Sequence, residues 1–318
     1  MITFDTIRQK CQFISENSQY VKIDPNAVKT FAKSITYQPH QYWIDGAYDF
    51  APGTTLDQMM FTQFLTTSIN FCFWRKPKWS IEKNGKKLGG SLSLITAFNN
   101  ALKNNLSLLS PEDIDKLTFE DFQNIMQGTD NTQIPLLSER YTLLKTISDQ
   151  LKRRINGSIQ QLIQNCNEDC TQILNTILTQ MSGFDDIGNY NGIEVPLLKR
   201  AQLAIADFNY FYNKYLHKSL KGIEQLTAFP DYKIPQTLRD KNILIYNNEL
   251  AKLVDNNIEL PHNSNMEIEI RANTIHAVEL LSKETELTPA QIDDTLWLSG
   301  QTKNPNTKPY HKTISIYY

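Results

Sequence analysis

The sequence predicts a mainly α-helical protein: a compact helical bundle with a small β element at most, forming a single domain over residues 1–318. Three observations support this prediction. Several segments begin with helix-capping residues, long stretches carry apolar residues at helical spacing, and strand signals are few. With 318 residues, 40% of them hydrophobic, the chain can bury a large core. We find no internal repeat or low-complexity linker that would divide it.

Helix starts are predicted from three groups of capping residues. The segment SPED at 110–113 combines an N-cap, a proline suited to the first turn and acids at the positive end of the helix dipole. The segment TPAQ at 288–291 has the spacing of a capping box, and Ser264 with Glu267 repeats that spacing. These signals predict helices beginning near 111, 265 and 289.

Apolar periodicity predicts two helices between about 136 and 181, broken near Asn156-Gly157, and another helix from about 196 to 215. The buried face of the latter is expected to carry Leu197, Ala201, Ile205 and Phe208. Strands are expected at 79–82 and at the extreme C-terminus, and the proline-bearing segment 226–238 is expected to interrupt the helices.

Composition favours a small substrate over a polymer. The formal net charge is -2, and the basic residues are scattered rather than gathered in the stripe typical of proteins that grip nucleic acid. The N-terminus lacks the apolar stretch of a secretory signal, and no apolar run approaches the roughly 20 residues that span a bilayer. The four cysteines form no zinc motif and suit a reducing compartment. We therefore expect a cytoplasmic protein without metal, cofactor, membrane or direct nucleic-acid partner; the oligomeric state is not predicted.

The segment LTAFPDYKIPQ at 226–236 is the most informative. Its two prolines are expected to push Phe229 and Ile234 toward extended backbone, which would place Phe229 and Asp231 on the same side of the chain. An aromatic face beside a carboxylate suits a flat base joined to a sugar. The alternative is a loop in which Phe229 fills the core and Asp231 caps the next turn.

Three other clusters are candidates for substrate contacts. Lys199 and Arg200 lie near a predicted helix start, where cations oppose the dipole and so suggest an anion; the alternative is a solvated face. Asp293 and Trp297 are one turn apart, and could instead be a first-turn acid and a core residue. The tail HKTISIYY at 311–318 has alternating, β-rich residues and is expected to dock on the body. It would offer a phosphate contact through His311 and Lys312, unless these are surface residues.

Seven blocks of the chain, taken in order, resemble the queuosine salvage protein family, the queuosine 5′-phosphate N-glycosylases. They are SINFCFW at 68–74, IPLLSER at 134–140, LLKRAQLAIAD at 197–207, LTAFPDYKIPQ at 226–236, EIEIRANTIHAVELL at 267–281, IDDTLW at 292–297 and HKTISIYY at 311–318. Two positions depart from the family pattern: Thr67 stands where an acid is usual, and Pro230 replaces a small residue. The segment 35–66 matches poorly, and His40 is its candidate substrate contact.

The resemblance implies a helical fold similar to helix-hairpin-helix DNA glycosylases and an enzyme that releases queuine from a nucleotide for reuse in tRNA. The family's phenylalanine-x-aspartate pair falls on Phe229 and Asp231. Cleavage passes through a ribosyl cation, so Asp231 is the candidate to stabilise or attack it. A 7-deazapurine has carbon in place of N7 and cannot be protonated there, so the departing base needs other edge contacts.

The remaining contacts implied for such a substrate are distributed over the other clusters. Asp293 could accept hydrogen bonds from the guanine-like edge, with Phe229 or Trp297 stacked on the ring. Lys199, His311, Lys312 or Tyr318 could hold the 5′-phosphate.

Three alternatives to this enzyme stay open. One is a nucleoside- or nucleotide-binding protein without catalysis, which would tolerate loss of Asp231. Another is an N-glycosidase for ordinary purine nucleotides or damaged DNA, although the missing basic stripe opposes DNA. A helical scaffold is the third, and it would be expected to show repeats or a broad apolar face.

Overall fold

The computed structural model describes residues 1–37, 42–104, 106–302 and 306–318. Within these residues the protein is mainly helical, as predicted, and its strands form three separate antiparallel pairs. None of the described helices is both long enough and apolar enough to cross a bilayer.

The helices and strands follow one another along the chain without dividing into separate layers. Their bounds are α1 Phe4–Asn17, β1 Val21–Ile23, α2 Pro25–Ala32, α3 Leu56–Ser68, β2 Ser80–Lys83, β3 Lys86–Gly89, α4 Ser91–Lys103, α5 Pro111–Lys116, α6 Phe119–Ile125, α7 Leu137–Ile155, α8 Ile159–Asn165, α9 Cys170–Gln180, β4 Ile187–Tyr190, β5 Ile193–Pro196, α10 Lys199–Phe211, α11 Lys233–Asp240, β6 Leu244–Tyr246, α12 Asn248–Asp255, α13 Asn265–Lys283 and α14 Pro289–Ser299. A short π-helical turn, Tyr212–Leu216, continues α10.

The strand pairs are short and tie together parts of the chain that helices separate. β1 pairs with β6, with Val21 opposite Tyr246, and so joins the N-terminal region to the segment after α11. β2 with β3 and β4 with β5 are hairpins, and the second hairpin leads directly into α10.

Two helices, α3 and α13, lie at the centre of the protein. Every residue of α3 from Met60 to Ser68 is buried, and twelve residues of α13 are buried. Helices enclosed on all sides must satisfy their polar side chains internally. Glu269 of α13 does so by accepting hydrogen bonds from the backbone N–H groups of Gln19, Tyr20 and Val21, at 3.0, 2.6 and 3.1 Å.

Local capping signals predict the helix starts correctly. Ser110 accepts from the N–H of Asp113, Ser264 caps α13, and Thr288 forms a complete capping box with Gln291. The predicted break at Asn156 is also confirmed, because that residue ends α7 in a left-handed conformation.

Four expectations about secondary structure are wrong. Residues 136–181 contain a second break, where Asp169 caps α9, so the segment forms three helices. The helix expected from about 196 begins at Lys199, because Pro196 belongs to β5. Ile234 is helical: it lies in the first turn of α11, where Pro235 loses no needed N–H. The C-terminal tail docks as predicted, but makes a single bridge, from Lys312 to Glu259, rather than a strand.

Candidate active site

A cleft of about 580 Å³ lies where α10, the loop before α11 and α14 meet the residues that follow α3. Cavities of this size commonly bind small molecules. Its wall combines aromatic and aliphatic side chains with a few polar groups: Tyr42, Trp43, Asn70, Ser91, Lys199, Leu203, Ala206, Phe229, Asp231, Ile234, Ala290, Asp293, Asp294 and Trp297. Five residues singled out from the sequence, Lys199, Phe229, Asp231, Asp293 and Trp297, therefore meet in one cavity.

The loop that carries Phe229 and Asp231 is held from both sides. Phe229 is buried, and its N–H donates to Asp293 Oδ1 at 2.8 Å. Asp231 Oδ1 accepts from the N–H groups of Lys233 and Ile234 at 2.5 and 3.1 Å, which caps the start of α11. Asp231 thus lines the cleft and also caps the next turn, so the two interpretations of this residue are compatible.

A buried ion pair supports the same loop from behind. Arg271 of α13 donates from Nε to the carbonyl oxygen of Pro230 at 2.9 Å, and its two terminal nitrogens bind Asp186 at 2.9 and 2.6 Å. Asp186 Oδ2 also accepts from the backbone N–H of Lys199, at 3.2 Å. One ion pair therefore connects the Asp231 loop with the first residue of α10.

Lys199 is buried in the cleft, and Arg200 beside it is buried as well, so the solvated-face alternative for this pair is wrong. Lys199 Nζ donates to the carbonyl oxygen of Asn70 at 3.2 Å. Burial lowers the pKa of Lys199 to about 8, although Asp231 and other carboxylates oppose the shift. Arg200 binds the carbonyl oxygens of Ser68 and Gly183 and has a structural role.

Two adjacent carboxyl groups of α14 face the cleft. Burial raises the pKa of Asp293 well above its usual range, and the hydrogen bond from Phe229 offsets only part of that effect. Burial also raises the pKa of Asp294, to about 6. Among the described residues, no group of three or more His, Cys, Asp and Glu side chains is placed to hold a metal ion.

A polar network that the sequence analysis missed holds two aromatic residues of the wall. Asp207 is buried in α10 and accepts from Tyr42 Oη at 2.8 Å and Trp43 Nε1 at 3.0 Å. Its other oxygen accepts from Gln63 Nε2 at 2.8 Å and Thr67 Oγ1 at 2.6 Å. Burial raises the pKa of Asp207 to about 6 although all four donors oppose the shift. The adjacent aromatics at 42 and 43 were the only local signal, and nothing in the sequence pairs them with position 207.

The tail residues proposed to contact phosphate lie elsewhere. His311 is buried with Nε2 3.3 Å from Tyr318 Oη, and Tyr318 stacks under the Arg271 guanidinium. Burial, with the nearby Arg271 charge, lowers the pKa of His311 to about 3. Lys312 Nζ lies over the ring of Trp74. None of these three tail residues is among the described residues that line the cleft, and a neutral imidazole is poorly suited to bind an anion. His40 lies outside the described residues.

Comparisons with known proteins agree with this geometry. The family model described as queuosine salvage protein matches residues 52–318. A queuosine 5′-phosphate N-glycosylase/hydrolase of Sphaerobacter thermophilus is 30% identical, over 96% of this chain and 95% of that protein. Proteins of the same name from Dictyostelium discoideum and Bos taurus are 28% and 26% identical, each over 98% of both chains. The chain belongs to the queuosine salvage protein family.

Proposed function

We propose that this protein hydrolyses the N-glycosidic bond of queuosine 5′-phosphate and releases queuine for reuse in tRNA modification. The observation that carries the proposal is the meeting of Asp231, Phe229 and Asp293 in one cleft of a chain from this family. The named relatives act on this nucleotide, and their similarity covers nearly the whole chain.

Asp231 is the proposed catalytic residue. Hydrolysis breaks the bond between ribose C1′ and the base nitrogen, and the electron pair leaves with the base. Water adds its oxygen to C1′, and in the net reaction it also supplies the proton that the base takes up. The carboxylate of Asp231 stabilises the cation at C1′, either as a fixed charge or through a covalent bond that water then hydrolyses. The N–H groups of Lys233 and Ile234 fix its orientation.

Asp293 is the proposed partner of the departing base. Its Oδ1 already accepts from Phe229, which fixes the carboxyl group against the wall of the cleft. The guanine-like edge would bring two N–H donors, and those donors favour the ionised form of a carboxyl whose pKa is raised by burial. Phe229 and Trp297 are the proposed stacking surfaces, and Lys199 the proposed phosphate contact.

We further propose that residues 1–318 act as one domain in the cytoplasm, on a free nucleotide rather than on nucleic acid. The net charge of -2 and the size of the cleft support a small substrate. A likeness of the helical arrangement to helix-hairpin-helix DNA glycosylases stays a prediction.

The test is product formation by purified protein given queuosine 5′-phosphate in the presence of EDTA. Chromatography should detect free queuine together with ribose 5-phosphate, because the sequence predicts no metal site. Binding of 7-deazaguanine nucleotides without any product would favour a non-catalytic binding protein. Cleavage of guanosine 5′-phosphate at a similar rate would favour a general purine nucleotide glycosidase.

A further inference from the structure

Two larger cavities adjoin the cleft, and their charged residues have opposite signs. The acidic cavity, about 970 Å³, has as its charged lining residues Glu224 and Asp294, both carboxylates, among the residues described. The lysine cavity, about 990 Å³, is lined by Lys78, Lys87 and Lys233. A ligand longer than the cleft would therefore meet negative charge at one end and positive charge at the other.

The two cavities share different walls with the cleft. Tyr42, Ala206, Ala290 and Asp294 line both the cleft and the acidic cavity. Ser91, Asp231 and Trp297 line both the cleft and the lysine cavity. Within the described parts of the chain, the acidic and lysine cavities have no lining residue in common. The cleft thus connects two chemically distinct openings.

The position of Asp231 gives the substrate a direction. If Asp231 acts at C1′, the ribose and its phosphate lie on the side of the lysine cavity, whose positive charge suits a phosphate. The base then occupies the cleft, and a substituent on its far edge points toward the acidic cavity. Queuosine carries such a substituent at position 7, an aminomethyl group whose secondary amine is cationic at neutral pH and bears a cyclopentenediol.

Asp294 has the properties expected of a partner for that cation. It lies on the wall common to the cleft and the acidic cavity, and forms no hydrogen bond or ion pair within the described parts of the chain. Burial alone raises its pKa, to about 6, since no neighbouring charge or donor offsets the effect. Asp293, by contrast, is occupied by the N–H of Phe229. A buried carboxylate without a partner costs stability, and a cationic ligand would remove that cost.

We propose that the acidic cavity recognises a cationic aminomethyl substituent at position 7 of the base, with Asp294 as its ionic partner and Glu224 further out. This assignment rests on the proposed function and makes Asp294 a specificity residue rather than a catalytic one. The polar side chains of Asn209, Asn213 and Gln291 in the same cavity suit the hydroxyl groups of the cyclopentenediol.

The test compares three 5′-phosphates: queuosine, 7-aminomethyl-7-deazaguanosine and unsubstituted 7-deazaguanosine. Wild type should have a higher kcat/KM for both amine-bearing nucleotides. Asp294→Asn should reduce kcat/KM about 10- to 150-fold for those two, mainly through KM, and leave the unsubstituted nucleotide near its wild-type value. Asp149→Asn, which removes an exposed carboxylate of α7, is the matched control. A loss for queuosine alone would assign the recognition to the diol.

The outcomes separate this inference from the proposed function. Equal cleavage of all three nucleotides by wild type, or an equal loss for all three in Asp294→Asn, would overturn the role of Asp294 but keep the glycosidase. If wild type cleaves none of them, the proposed function fails, and calorimetric affinities for the same three nucleotides then decide the inference. A preference for the amine-bearing pair that is lost in Asp294→Asn would support it, and equal affinities would overturn it.

Discussion

The cleft and the C-terminal tail both contain buried charged or polar side chains that look functional in the sequence, yet the structure uses them differently. In the cleft, Lys199 and Asp293 line open space and retain strongly shifted pKa values. In the tail, the carbonyl oxygen of Thr313 accepts from Trp74 Nε1, and that of Tyr318 accepts from the Cys72 N–H. The tail is bound by the fold itself, whereas the cleft still has polar groups to offer to a ligand.

Arg271 connects these two regions. It donates to Pro230 on the cleft side and stacks over Tyr318 on the tail side, while Asp186 neutralises its charge. The tail therefore contributes to the cleft indirectly, by enclosing the residue that holds the Asp231 loop. This difference teaches that residue type alone does not distinguish a binding group from a group that supports one.

The largest effect is expected from breaking the connection itself. Arg271→Met leaves the buried Asp186 without its partner, so the free energy of unfolding should fall by about 3–5 kcal/mol. Urea denaturation measures the change. Arg153→Met, which removes an exposed ion pair of α7, should leave stability near wild type. Similar stability of the two variants would show that the tail and the cleft are not held together by Arg271.

A smaller effect should sharpen the role of the cleft. Lys199→Ala should reduce kcat/KM for queuosine 5′-phosphate about 10- to 150-fold relative to its effect on the dephosphorylated nucleoside, because a charge-assisted contact is lost. With a pKa of about 8, Lys199 loses its charge as the pH rises, so the wild-type preference for the nucleotide should fade above pH 8. Lys152→Ala on exposed α7 is the control. Equal losses for both substrates would assign Lys199 a structural role.

The smallest effect concerns the tail. The folded-state pKa of His311, about 3, lies below its ordinary value of 6.5, so the unfolded chain binds the extra proton between these values. Stability from this group is therefore complete above pH 6.5 and is lost as the pH falls, by about 1.4 kcal/mol per pH unit. Urea unfolding at pH 7.5 and 5.5 should show a steeper decline for wild type than for His311→Gln. Parallel declines would mean that His311 is not held neutral.

Local signals in the sequence predicted local structure well. Capping residues such as Thr288 act within one turn, so the starts of α5, α13 and α14 could be predicted without knowledge of the fold. The strand expected at the C-terminus failed because alternation does not reveal whether a partner strand is present. The second break before α9 was missed because Asp169 caps a helix without a glycine or proline to mark it.

The site was predictable only in part. Phe229 and Asp231 are close in sequence, and family resemblance directed attention to them. The contacts of Asp207 with Tyr42 and of Arg271 with Pro230 span 165 and 41 positions, and no local pattern encodes them. Asp294 was next to a predicted contact, but only the cavity on its far side distinguishes it from Asp293.

The most direct test of the account is the turnover of Asp231→Asn, measured with its melting temperature on one preparation. Asparagine caps a helix about as well as aspartate, so the melting temperature and substrate affinity should stay near wild type. Asp231→Ala loses the cap too and should be less stable by about 1 kcal/mol. Removing only the charge should lower turnover of queuosine 5′-phosphate by at least about 100-fold, the scale of one lost electrostatic stabiliser. Turnover of Asp231→Asn close to wild type would contradict the assignment of Asp231 as the catalytic residue.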